Sequence, residues 1–134
     1  MANTNSVAIA SVIVDPVLAI HANWKRCLAE FLAALDALDI PQQAFIAARA
    51  RGAPAHELAE LDADVAAAHE VENTAIDKLH AALREMSGTP ATTLEGLRAG
   101  IDVLHYYAIE LDSLDGADEM TERLHADAAR LIAA

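Results

Sequence analysis

Aromatic side chains make up only 4% of this 134-residue chain, so alanine and leucine must carry its burial. Strands draw on aromatic and β-branched residues in alternation, and the single run of that kind, Val7 to Val14, is short and isolated. The composition therefore points to closely packed helices. Cys27 is the only cysteine, which excludes an intrachain disulfide and fits a cytoplasmic setting. Basic residues are scarce, 9 against 21 acidic ones, for a formal charge of −12. Such a field repels phosphate backbones and anionic lipid, so direct nucleic-acid and membrane binding are not expected. A basic partner, a cation or simple solubility accounts for such a charge equally. No apolar stretch approaches the roughly 20 residues that span a bilayer. Residues 1–14 also lack the basic region of an export signal. They are expected to form an extended N-terminal arm that lies along the protein or reaches a second subunit. Residues 15–134 suit one helical bundle domain.

What the chain does contain is helical periodicity. From Ala55 to Met86 no glycine or proline intervenes. At about 100° per residue, Leu58, Leu61, Val65, Ala68, Ile76, Leu79, Leu83 and Met86 share a stripe roughly 80° wide. Asp15-Pro16 opens an earlier helix by capping it and supplying a proline for its first turn. Its apolar face comprises Val17, Ile20, Trp24, Leu28, Phe31, Leu35 and Leu38. Ile40-Pro41 is expected to end that helix, because the residue before proline is driven from the α region. A short additional helix, Pro41 to Arg51, follows. The long helix is expected to stop at a left-handed cap at Ser87-Gly88. A Thr92-x-x-Glu95 capping box then starts a helix running to about Asp112, with Leu94, Leu97, Ile101, Leu104, Ala108 and Leu111 on its apolar face. Gly96 and Gly100 on one side of it would admit a close neighbour. A last helix, Asp118 to about Ile132, presents Met120, Leu124, Ala128 and Leu131. The expected fold is all-α: four main helices in an antiparallel bundle plus one short additional helix.

From Thr89 to Ala99 the chain reads Thr-Pro-Ala-Thr-Thr-Leu-Glu-Gly-Leu-Arg-Ala. This P-x-T-T-x-x-G-L junction follows an Asp-Pro-started helix with an internal histidine and then a longer helix. The arrangement resembles a group of short alpha-proteobacterial helical proteins of unassigned function, over nearly the whole chain. That resemblance implies an all-helical fold. Its motif is a helix-capping device, so no activity, substrate or site residue comes with it.

Glu72 interrupts the middle of the long helix's apolar stripe, where an unpaired carboxylate would be costly. His21 projects from the first helix's apolar face, and His105 lies at the edge of the third. If these three converge, three readings arise, one of them a proton-handling or ligand site. In the other two they form an internal polar network, with Glu72 paired to His21, His105, Arg98 or Lys25, or they hold a divalent metal ion as inward carboxylates and imidazoles do in helical bundles. Other acid–histidine spacings, Asp77-x-x-His80, Asp102-x-x-His105 and Glu122-x-x-His125, point away from the apolar faces. His69 and His80 belong to the flank of the long helix, and His56 to its solvent side. Aligned with a calcium loop, Leu111 to Glu122 puts leucine where the first aspartate is needed. Cys27 sits at the edge of an apolar stripe without an activating base, as a packed thiol does.

No P-loop, dinucleotide fingerprint or G-x-S-x-G elbow is present in the sequence. The expected function is accordingly non-enzymatic: an acidic helical interaction or regulatory protein. A small metal-binding protein using His21, Glu72 and His105 is the alternative. The long helix would extend roughly 45 Å and the last one roughly 24 Å, so the bundle cannot cover its longest member evenly. A homodimer with the long helix in its interface follows from that mismatch.

Overall fold

The computed structural model describes residues 14–110 and 117–133. The expectation of an arm falls on residues 1–14, nearly all outside that range. Four α-helices account for most of the described chain: α1 (Pro16–Ala50), α2 (Ala55–Gly88), α3 (Leu94–His105) and α4 (Ala117–Ala133), with a short π-helical piece at Tyr106–Glu110. The chain is all-α, with no strand among the described residues.

Helix α1 runs 35 residues straight through Pro41, so the expected break and the separate short helix do not occur. Proline there removes one backbone hydrogen bond and crowds the preceding turn. Burial on both sides of it, at Leu38 and Ala48, holds the same helical face down. Ile40, the residue expected to leave the α region, stays helical and is 76% exposed. Helix α1 ends instead at Gly52, whose φ of +73° is the left-handed value glycine tolerates best. Ala53 N–H donates to Ala48 O at 3.0 Å and Gly52 N–H to Arg49 O at 3.2 Å, the paired bonds of a Schellman cap. Pro54 O then accepts from Glu57 and Leu58 to start α2.

The described residues divide into two compact units. Residues 24–81 form the first, an α1–α2 hairpin. Glu30 pairs with Lys78 at 3.7 Å, and the turn at 51–54 lies midway between them, as in an antiparallel hairpin. Trp24, Cys27, Phe31, Ala34 and Leu38 of α1 and Ala75 and Leu79 of α2 are its buried residues along that seam. Nearer the turn the α2 stripe is only half-buried, at Leu58, Leu61, Val65 and Ala68.

Residues 14–23 and 82–133 belong to the second unit. Its core joins Val17, Leu83, Met86, Val103, Tyr107, Met120 and Leu124. Here α3 packs on α4, and the buried face of α3 is not the expected one. Gly96, Ala99, Gly100 and Val103 are buried, while Leu94 and Ile101 are 68% and 52% exposed. The glycines explain the rotation. A methyl group placed at residue 100 would come 2.5 Å from Leu124 Cδ2, so the helices approach through the side that lacks side chains. Regular α geometry ends at His105, short of the expected Asp112, where the chain widens into the π turn. In that turn Tyr107 is buried, and its ring meets Tyr106 edge to face at 6.1 Å.

Candidate functional site

The junction from α2 to α3 is organised by two buried aspartates. Asp15 caps α1 as its sequence position implies, Oδ1 accepting from Val17 N–H at 3.0 Å. Its other oxygen, Oδ2, accepts from Thr92 N–H and Thr93 N–H, both at 2.9 Å, and from the Thr93 hydroxyl at 2.8 Å. Thr93, not Thr92, is the cap of α3, its Oγ1 accepting from Gly96 N–H at 3.0 Å. In a capping box a glutamate three residues into the helix accepts from the cap residue's N–H. Gly96 holds that position here, and Asp15 supplies the carboxylate from the other end of the unit. Burial by itself would raise the pKa of Asp15. The bonds from the Thr93 hydroxyl and from the amides of Val17, Thr92 and Thr93 outweigh it and hold the carboxyl below its ordinary value.

Asp127 completes the clamp. Its Oδ2 accepts from Ala91 N–H at 3.0 Å and its Oδ1 from Arg130 at 2.9 Å, while Arg130 also donates to Ala91 O. Three consecutive amides, at 91, 92 and 93, therefore end on carboxylates. The α2 terminus is closed by Arg123, which donates to Ser87 O at 3.1 Å. Gly88 needs no left-handed φ, contrary to the expected cap, and Gly52 is the one positive-φ glycine among the described residues.

The three anticipated site residues have other surroundings. His21 Nε2 bonds Asp102 Oδ2 at 2.9 Å, an aspartate that helical projection had turned outward. Glu72 meets His69 Nδ1, one turn away on the same helix, at 3.3 Å. His105 is exposed. Among the described residues no group of three or more His, Cys, Asp and Glu side chains comes together. Cys27 is buried, in keeping with a packed thiol. Asp15 and Asp127 escaped the sequence reading as buried groups. A signal existed for Asp127, which falls in the apolar register of α4 between Leu124 and Leu131, as Glu72 falls in that of α2.

The hairpin unit carries a surface groove. It measures about 590 Å³ and runs between α1 and α2, lined by Ala33, Ala34 and Ala37 of α1 and by Thr74 and Ala75 of α2, with Val71 among its lining residues. The Glu30–Lys78 pair lies at its edge. Methyl-sized side chains leave a depression that a ridge from another helix can enter. Val71, at 60% exposed, stands at its rim as a knob. Helical projection sets Leu32 and Leu35, 42% and 38% exposed, on the opposite flank of the α1 seam. No described helix is long and apolar enough to cross a membrane.

Compared with family models, with curated proteins and with solved structures, the chain has no match.

Proposed function

We propose that this chain is a non-enzymatic, acidic helical interaction protein of the cytoplasm that works as a homodimer through the α1–α2 hairpin. The observation carrying this reading is the alanine groove with Val71 at its rim. Knob and hole lie on one face, which is the requirement for an isologous two-fold contact: Val71 of each copy enters the Ala33/Ala37 depression of the other. Two hairpins joined this way make a four-helix arrangement, the usual means of burying a helix pair that has only a seam of its own. The formal charge of −12 favours other proteins over phosphate-bearing partners.

Light scattering on the full chain at micromolar concentration tests the reading. A dimer mass that falls to the monomer in Val71→Glu, while Leu32→Glu remains a dimer, supports it. Both positions are exposed, so neither change threatens the fold. A monomeric wild type, or a dimer broken only by Leu32→Glu, overturns the groove as the contact.

A further inference from the structure

Helix α3 carries an apolar stripe that nothing among the described residues covers. Leu94 and Ile101 are 68% and 52% exposed, and Leu97 and Leu104 are half-buried between them and the core. These four recur at intervals of three and four, the spacing of a single helical face. Soluble helices seldom leave four large aliphatics in one such row without an occupant.

The chain before Asp15 leaves the fold at the head of that stripe. Asp15 is bonded to Thr92 and Thr93, the two residues that precede Leu94. Val14, the last residue before it, is 65% exposed. From Leu94 to Leu104 the stripe is about 15 Å long at 1.5 Å per residue. Extended chain covers that in about five residues at 3.3 Å each. Residues 7–14 read Val-Ala-Ile-Ala-Ser-Val-Ile-Val, without a charge, a glycine or a proline. Their alternation sends Val7, Ile9, Ser11 and Ile13 to one side in extended form, three of the four aliphatic, and the backbone amides of a single strand laid on a helix stay open to water on the other edge.

We infer that the chain's own segment from Val7 to Val14 docks on the Leu94–Leu97–Ile101–Leu104 face of α3. The tether at Asp15 makes this an intramolecular encounter. Its effective concentration is set by a handful of residues and exceeds that of any free competitor at micromolar levels. A second copy, by contrast, would have to displace a segment anchored at the site. The contact is independent of the hairpin dimer and lies in the other unit.

The experiment uses full-length protein with Cys27→Ala and Ala10→Cys, a nitroxide on residue 10, which alternation sets on the side away from α3, and labelled leucine, isoleucine and valine methyl groups. Docking predicts at least a twofold loss of intensity for the methyls of Leu94, Leu97, Ile101 and Leu104. Ile101→Asp, an exposed position, should abolish the loss while helicity by circular dichroism stays unchanged. The loss should persist in the Val71→Glu background, which separates it from the fate of the dimer. Unaffected α3 methyls overturn the inference. So does broadening that appears in a mixture of nitroxide-bearing unlabelled chains with labelled unmodified chains, because that places a second copy's segment on the face.

Discussion

Asp15 fills the space that a side chain at Gly96 would need. A Cβ at residue 96 would overlap Asp15 Oδ2 and lie 2.7 Å from its Cγ. The glycine is thus required by a carboxylate 81 positions away. Gly96→Ala forces that carboxylate off its three donors at Thr92 and Thr93, and buried donors left unpaired cost about 1–3 kcal/mol each before any strain is added. The variant is expected to lose about 3 kcal/mol or more in urea unfolding. Gly100→Ala meets only the tip of Leu124, which can rotate, and alanine returns about 1 kcal/mol of helix propensity. Its loss is expected to be under about 1.5 kcal/mol, within the range of mild overpacking. Equal losses for the two variants would contradict this account of the junction.

The clamp also has a pH signature. Hydrogen bonds hold the Asp15 carboxyl below its ordinary value despite burial, so as pH falls the unfolded chain takes up this proton first. The stability it contributes is complete above the unfolded value of about 3.9 and is lost as pH drops through the lower folded value. Between pH 5 and 8 this group adds no slope. Asp15→Asn cannot titrate, so its urea midpoint should fall less steeply than the wild type's from pH 4 to pH 2.5, though it starts lower at pH 7 because its amide turns N–H groups toward donors. Parallel curves for the two proteins would remove Asp15 as the source.

Asp127 offers the matching test on the other side of the junction. Its side chain is 2% exposed and serves one backbone amide and one guanidinium. Asp127→Ala leaves Ala91 N–H without its acceptor and Arg130 without its carboxylate, holding only Ala91 O, at an expected cost of about 2–3 kcal/mol. Asp102→Ala breaks the bond to His21, but Asp102 is 57% exposed and its loss is screened by water. That variant is expected to cost under about 1 kcal/mol. Thermal unfolding of the pair ranks them, and a reversed order would show that the junction is not where the carboxylates matter.

Which parts of this structure could be read in advance depended on whether local pattern or a distant residue decided them. The α2 stripe from Ala75 to Met86 and most of the faces of Val17 to Leu38 and Met120 to Leu131 follow from 3.6-residue periodicity, but Leu35, expected on the first of these faces, is 38% exposed. Pro41 misled because a strong local rule met a helix already fixed by buried residues before and after it. The α3 face was inverted for a related reason. Hydropathy marks Leu94 and Ile101 as the side to bury, but packing distance is set by the smallest residues, and only the position of Leu124 shows that Gly100 faces a neighbour. Thr92 took the place of Thr93 as the cap because the carboxylate completing the motif is Asp15, which sequence spacing cannot connect to it. Glu72 looked like a core charge because its partner was sought on other helices, when His69 lay one turn away on its own.

That last pairing bears on the metal reading directly. Glu72 is 23% exposed and His69 48% exposed, so the carboxylate already has water and an imidazole. Glu72→Gln should change stability by under about 1 kcal/mol, as a partly solvated pair at three-residue spacing does. Elemental analysis of untagged protein should find no stoichiometric metal that the variant loses. A drop of 3 kcal/mol, or a zinc or manganese equivalent released on mutation, would return Glu72 to the role of an inward ligand.

Salt separates a self-contact from a hetero-contact on the hairpin. Each copy carries a formal charge of −12, and the groove is flanked by Glu30 and Glu70, so two copies approach against their own field. Screening lengths shrink from about 10 Å at 0.1 M salt to about 3 Å at 1 M, which removes most of that repulsion while leaving the Val71–alanine contact intact. The homodimer is therefore expected to tighten severalfold between 50 mM and 500 mM sodium chloride, as followed by sedimentation equilibrium. A basic partner on the same groove would behave in the opposite sense, since its attraction is what salt screens. A dimer that weakens with salt would mean that ion pairs rather than the knob and hole hold it, and Glu30–Lys78, which sits at the groove's edge, would be the first pair to exchange between copies.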